Sequence, residues 1–298
     1  MAKNIYSYIT SKLVNLMQSN ITPWRMSWGL DLPMNHFTKY EYRGINFLLL
    51  NAVASVNGWS NKWLTFNQLT KLKGRLVKGA TGYPVLLWKF KAVNPDDPDE
   101  KPLPLLRYYT VFNLSETVHI PYMYDTKPVM TDDERFAECE KIIGNYSNKP
   151  RVIFGNYNPA YSRSDDLITM PERSKFSDPE EFYSTYFHEI THSTGHPTRL
   201  DRPLTANKKD YMKEELIAEL GFAYLCAKAK ISNKSLIENQ AAYLKGWISA
   251  FEQDSTLIFK ASTQAEKAVK LITQDWGDYY LEPRFQTTEI PKRNWIIN

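Results

Sequence analysis

Apolar residues recur along this chain with two periods, and the places where the period changes outline its elements. Ile5, Ile9, Leu13 and Leu16 recur every three to four residues and predict a helix over 3–19. TPWRMSW at 22–28 opens a loop that runs to YRGINFLLLNAVA. Thr65 and Gln68 stand at capping-box spacing, which starts a helix after Trp63. Over 83–93 the period drops to two: Leu86, Trp88 and Phe90 fall on one side, Lys89 and Lys91 on the other, as in a strand. LLRYYTVFNL at 105–114 reads as its partner. The Pro- and Asp-rich VNPDDPDEKPLP between them makes the pair a hairpin with a long polar loop.

Periodicity lapses in PYMYDTKPVMTDDE, 121–134, and a linker is placed near 122–131. Beyond it, Phe136, Cys139 and Ile143 mark a helix, while RVIF at 151–154 and DLITMP at 166–171 read as strands. Phe182, Tyr186 and Ile190 form the apolar stripe of a further helix. Ser177 lies three residues before Glu180, with Pro179 in the first turn, and Gly195 falls where that helix should stop. KEELIAELGFAYLCAK, 213–228, carries a stripe at Leu216, Leu220, Ala223 and Ala227. From Ser235 the chain reads as helical, with Leu244, Trp247 and Phe251 in register. The order predicts an α+β fold of two domains. Residues 1–125 form a mixed α/β domain, and residues 126–298 form one with a small sheet and several helices.

The helix over 182–192 ends in HEITH, His188 to His192. Side chains four apart on a helix share one face, about 5–6 Å from each other. Both imidazoles can therefore reach one metal ion, and Glu189 stands beside it, able to take a proton from bound water. A catalytic zinc takes three protein ligands and leaves a position for water. The extended pattern HExxHxxGxxH fits at Gly195 but fails at Thr198. His196 is one turn beyond His192, yet Gly195 and Pro197 break the helix there. Glu215, 23 residues past His192, and Glu219 share a face of the next helix, and a glutamate on a second helix is the glutamate-zincin solution. Glu215 is therefore expected as third ligand and Glu219 as the acceptor that holds a histidine ring. The exchanged assignment, and a solvated acidic face made by Glu214, Glu215 and Glu219, both stay open. Tyr161, Tyr211 and His196 are the candidates for stabilising an oxyanion. In zinc peptidases a strand beside the metal helix receives an extended substrate, and DLITMP is the candidate for it.

Composition adds a partner. The 298 residues are 43% hydrophobic and 23% charged, as in a soluble globular protein. Cys139 and Cys226 read as two buried free thiols of a reducing compartment. MAKNIYSYIT lacks the apolar run of a secretory signal, and FLLLNAVASV is too short to span a bilayer, so a cytoplasmic protein is expected. The net charge of +4 is uneven: +6 over residues 1–125 and −2 over the remainder. Lys71, Lys73, Arg75 and Lys78 surround Gly74 and Gly79, where close backbone approach and positive charge suit a phosphate chain. Arg43 adds a cation. Trp24, Trp28, Tyr40, Tyr42, Trp59 and Trp63 offer rings that could stack on unpaired bases, although packing in a core accounts for most such rings.

PW at 23–24, YRGIN at 42–46, WLTFNQ at 63–68, KGATG at 78–82 and the YYTVFN strand resemble the N-terminal domain of ArdC-type antirestriction proteins. DDLITMP, HEITHSTGHPTRLDR and EELIAELGFAYL resemble the zincin-like metallopeptidase domain of the same family. The resemblance covers nearly the whole chain in the same order. It implies a protein of conjugative plasmids and other mobile elements that binds single-stranded DNA and protects incoming DNA from host restriction. It also implies a zinc site in which His188, Glu189, His192 and Glu215 occupy matching positions, one Zn2+ being expected and other divalent ions open. The expected partners are single-stranded DNA and an unidentified protein substrate or host restriction factor, with no membrane. Two rivals are a non-catalytic DNA-binding protein with a structural metal site and a regulatory peptidase that cleaves a repressor.

Overall fold

The structure, a computed structural model, describes residues 5–25, 31–91, 103–120, 130–203, 207–232 and 240–275. The first domain contains helix α1 (Ile5–Gln18), strand β1 (Met34–Asn35), helix α2 (Gly44–Asn57), strand β2 (Lys62–Thr65) and helix α3 (Phe66–Lys71). Strands β3 (Arg75–Leu76), β4 (Tyr83–Lys91), β5 (Leu103–Asn113) and β6 (Thr117–Val118) complete it. β4 and β5 pair antiparallel from Tyr83↔Val111 to Lys91↔Leu103, as the alternation predicts. They extend a four-stranded sheet ordered β1-β2-β5-β4, and β3 pairs with β6 beside it. The Thr65–Gln68 capping box is formed, with both reciprocal bonds, although strand β2 occupies the residues just before it.

The predicted pattern leaves out α2, for a physical reason. Its residues from Phe47 to Ala54 are all buried, Asn51 included through its bond to Asn61, so the middle of the helix has no solvent-facing side and carries no stripe to read. The linker predicted at 122–131 falls largely on 121–129, outside the described residues. A second capping box, Thr131 with Glu134, starts the next helix at its far end.

The second domain contains α4 (Asp132–Asn145), β7 (Arg151–Gly155), β8 (Ala160–Ser162), β9 (Leu167–Pro171), α5 (Pro179–Ser193), α6 (Lys208–Ala229), α7 (Gln240–Gln253) and α8 (Leu257–Thr273). Its sheet is ordered β7-β9-β8, with β9 parallel to β7 and antiparallel to β8. This corrects one expectation: DLITMP becomes the central strand β9, paired on both sides, and offers no edge to a substrate. The edge strand packed against α5 is β8. α5 also starts differently, since Asp178 rather than Ser177 caps it through the Glu180 amide, while Ser177 binds Glu181.

Two large hydrophobic clusters hold the chain together, and both span the two domains, since the second takes in Leu32 and Phe47 of the first domain. Ile9, Leu13 and Met17 of α1 and Leu48 to Leu50 of α2 pack with Leu216 and Leu220 of α6, Trp247 and Phe251 of α7, and Ile258 of α8. The second cluster joins α4, β9 and α5 to the far half of α6, including Phe222 and Leu225. α6 thus lies in both cores. Each fully buried Leu or Phe on it contributes about 1.5–3 kcal/mol, which anchors the carboxylates it carries. Cys139 and Cys226 are buried free thiols, as expected.

Candidate metal centre

The candidate metal site lies where α5 crosses α6. Gly221 lets the two helices approach: a Cβ there would stand 2.5 Å from Thr191 Cγ2, on a branched side chain with little freedom to yield. His188 and His192, one turn apart on α5, bring their Nε2 atoms to 3.0 Å. From α6, Glu215 reaches in with Oε2 3.7 Å from His188 Nε2 and Oε1 3.6 Å from His192 Nε2. Ligands about 2.0–2.1 Å from a tetrahedral ion stand about 3.3 Å from one another, so these spacings suit one small divalent cation. Two imidazole nitrogens and a carboxylate facing a common point are also the donor types that zinc takes. Glu189 is 8% exposed on the same helix.

The three acidic residues of α6 have separate surroundings, and none of them forms a solvated face. Glu214, 7% exposed, lies 3.3 Å from His192 Nδ1. Its carboxylate takes two bonds from Arg202, Nε at 2.8 Å and Nη2 at 2.5 Å. Arg202 also donates to Thr194 Oγ1 and to the carbonyls of Thr191 and His192, so it caps the C-terminal end of α5. Gly195 leaves room for this guanidinium, since a Cβ there would stand 3.0 Å from Arg202 Nη2, and α5 itself ends before it, at Ser193. Glu214 and Arg202 both fall inside stretches quoted for the family resemblance, EELIAELGFAYL and HEITHSTGHPTRLDR, but nothing in their spacing announces that they pair.

These neighbours set the charge states. Burial opposes the imidazolium of His192, but the Glu214 hydrogen bond and the carboxylates of Glu215 and Glu189 outweigh it and push His192 up to about 9. Burial likewise opposes the Glu214 carboxylate, yet Arg202 and His192 hold it down at about 2. Glu215 is held below the usual carboxylate range, against burial, by His188 and His192 and by the Tyr211 hydroxyl.

Glu219 faces the opposite edge of His188, with Oε1 3.8 Å from Nδ1. The geometry thus places Glu215 with the two Nε2 atoms and Glu219 on the side expected of a ring-holding acceptor. Among the oxyanion candidates, the Tyr161 hydroxyl is engaged by Asp166 and Arg199, and His196 by Thr198. Tyr211, one turn before Glu215 and 48% exposed, has its hydroxyl at Glu215 and at Tyr243.

The candidate DNA residues divide. Lys71, Lys73, Arg75 and Lys78 are all exposed around the turn from α3 into β3, where Lys73 and Gly79 take positive φ. Trp24 is a correction: it is fully buried, bonded to Glu219 and packed edge-on against Trp247, so its ring is closed to a base. Tyr42 and Trp63 are core residues too, and Tyr40 and Trp59 pack against that core. Arg43 precedes α2 and pairs with Asp275 at 3.5 Å, past the end of α8, rather than joining the basic turn. Trp28 lies outside the described residues. Two rings that the sequence reading missed are exposed: Phe66, 57%, at the start of α3, and Tyr108, 62%, on β5. Strand alternation could have found Tyr108, since Tyr109 and Val111 face the core from the opposite side.

Comparison with known proteins assigns both halves. Residues 3–112 match the family model for the N-terminal domain of anti-restriction factor ArdC, and residues 137–264 match the zincin-like metallopeptidase model. The crystal structure of the antirestriction ArdC protein from the R388 plasmid superposes with a TM-score of 0.75 at 30% identity, covering 92% of this chain and 97% of that one. The chain belongs to the ArdC antirestriction family. The R388 ArdC protein has also been solved with Mn(II) bound, and that structure matches equally well. An uncharacterised protein of Sinorhizobium fredii is 30% identical over 280 residues, covering 89% of this chain and 90% of its own length. A DNA primase TraC of Escherichia coli is 28% identical over 291 residues, of which the chain spans about a quarter, 26%. In this ArdC-family chain the two matched regions share a core, and no helix among the described residues is long and apolar enough to cross a membrane.

Proposed function

We propose that this chain is an antirestriction protein of a mobile element that binds single-stranded DNA and carries a metallopeptidase site. The observation that carries the peptidase reading is the convergence of His188 Nε2, His192 Nε2 and a Glu215 carboxylate oxygen, with Glu189 buried beside them. These three would hold Zn2+, or another divalent ion such as the Mn(II) seen in the R388 relative. The ion, when bound, supplies the acidity that makes water a nucleophile at neutral pH and polarises the scissile carbonyl. Glu189 accepts the proton of the attacking water and delivers it to the departing amine. Glu214 and Arg202 keep His192 oriented, so Glu189 and the ligands stay in register through the cycle. Tyr211 donates its hydroxyl to the charge that develops on the carbonyl oxygen. The open edge of β8, where Ala160 is exposed, receives the extended substrate chain.

The basic turn from Lys71 to Lys78, with Phe66 at the start of the same helix, supports single-stranded DNA as the partner of the first domain. Cations track the phosphates and exposed rings stack on bases. The deciding experiment is transfer of a restriction-sensitive plasmid in cells carrying wild type or Glu189→Gln, with metal content measured on both proteins. The expected result is that Glu189→Gln keeps its metal and loses both cleavage and protection. Full protection by the metal-loaded variant would mean that DNA binding alone protects and that the metal centre serves the fold.

A further inference from the structure

The two ligand histidines are supported from different directions. His192 Nδ1 faces Glu214, which is clamped by Arg202, all within the second domain. His188 Nδ1 is buried and has no hydrogen-bond partner, and the carboxylate facing it at 3.8 Å is Glu219. That carboxylate is held by the first domain. Trp24 Nε1 donates to Oε2 at 2.8 Å, and Arg25 Nη2 lies 3.3 Å from both oxygens. Glu219 is 3% exposed, and a buried carboxylate is tolerable only with such donors around it.

Packing fixes both donors. Trp24 meets Trp247 edge-on at 5.2 Å, and the Arg25 guanidinium lies over the Phe222 ring at 5.1 Å. The same Phe222 ring contacts His188 at 5.7 Å. Residues 24 and 25 thus touch both the carboxylate at the edge of the imidazole and, through Arg25, the ring beside it.

We propose that Trp24 and Arg25 are positioning residues of the metal centre. They hold Glu219 against His188 Nδ1, and so favour the tautomer that carries its proton there and turns the Nε2 lone pair toward the ion. A neutral imidazole has one N–H, and the charge of a carboxylate 3.8 Å from Nδ1 favours the proton on that nitrogen. The centre is then complete only when the two domains are docked. This rests on the metal-binding reading above.

The test measures metal affinity on the full chain, with Mn(II) by electron paramagnetic resonance and Zn(II) by competition with a chromophoric chelator. Trp24→Phe keeps a ring and removes the donor, and Arg25→Gln removes the cation. Each should weaken both ions by about tenfold or more, the usual effect of losing an outer support of a ligand. Arg25→Lys should recover part of the loss. Phe251→Leu, in the same core cluster one turn along α7, should lower the melting temperature and leave affinity within about twofold of wild type. Nitrogen NMR of His188 should show the Nδ1–H tautomer in wild type and its loss in Trp24→Phe. If Trp24→Phe does not fold, the Arg25 pair carries the test. Wild-type affinity in Trp24→Phe and Arg25→Gln would overturn the inference and leave the metal site standing, as would equal weakening by Phe251→Leu. Failure of the wild-type protein itself to take up either ion would overturn both.

Discussion

Lowering the pH from 9 to 7 should cost this protein metal affinity, because a proton occupies the place the ion needs. His192 Nε2 is one of the three converging donors, and Glu214, Glu215 and Glu189 push this imidazole up to about 9 against the effect of burial. At pH 7, two units lower, only about one metal-free molecule in a hundred carries neutral His192. Apparent affinity should therefore be roughly 100-fold weaker than above pH 9, about 3 kcal/mol, and should change tenfold per pH unit between. Isothermal titration calorimetry with Zn(II) in two buffers of different ionisation enthalpy reads this directly, as close to one proton released per ion bound at pH 7. An affinity that is flat from pH 7 to 9, with no dependence on buffer, would refute the reasoning. The same proton has an opposite consequence for the metal-free fold. His192 titrates higher in the folded state than its ordinary 6.5, so its contribution to stability is full below 6.5 and is lost as pH rises through 9. Glu214 titrates lower than its ordinary 4.5, so its contribution is present above 4.5 and is lost as pH falls toward 2. Metal-free protein should melt highest between these limits.

Three further outcomes are expected. Glu214→Gln leaves Arg202, 4% exposed, buried without its counter-charge, and should destabilise the metal-free protein by about 3–5 kcal/mol in urea unfolding; a loss under about 1 kcal/mol would show the pair to be unimportant. Gly221→Ala forces a methyl group into Thr191 and should part α5 from α6, costing about 1–3 kcal/mol and weakening Mn(II) binding; unchanged affinity would mean the helices can separate without moving the ligands. Replacing Lys71, Lys73, Arg75 and Lys78 together by Ala should weaken single-stranded DNA binding and flatten its salt dependence by up to about 3 in log–log slope, while the melting temperature holds; an unaltered slope would place the DNA elsewhere.

Local patterns carried much of this protein. The four-residue spacing of His188 and His192 requires only that the segment be helical, and its apolar stripe made it so. The alternation of β4 and β5 and the Thr65–Gln68 box are equally local, and each is present in the fold. Where every side of an element is buried, the pattern vanished: from Phe47 to Ala54 α2 has no solvent-facing side, so no apolar stripe announced a helix. Trp24 shows the limit from the other side, since a tryptophan in a loop looks the same whether it faces a base or a buried carboxylate.

Local pattern suffices to place HEITH on a helix, to give the donor types that helix offers a metal, and to show a basic region ahead of it. How Glu214, Glu215 and Glu219 divide around the histidines follows from the packing of α6 on α5. Successive helical positions turn by about 100°, and which of them meets α5 depends on how closely Gly221 lets the helices pack. Tertiary structure also brought in Arg202, Trp24 and Arg25, because a buried carboxylate needs donors from wherever the folded chain can supply them.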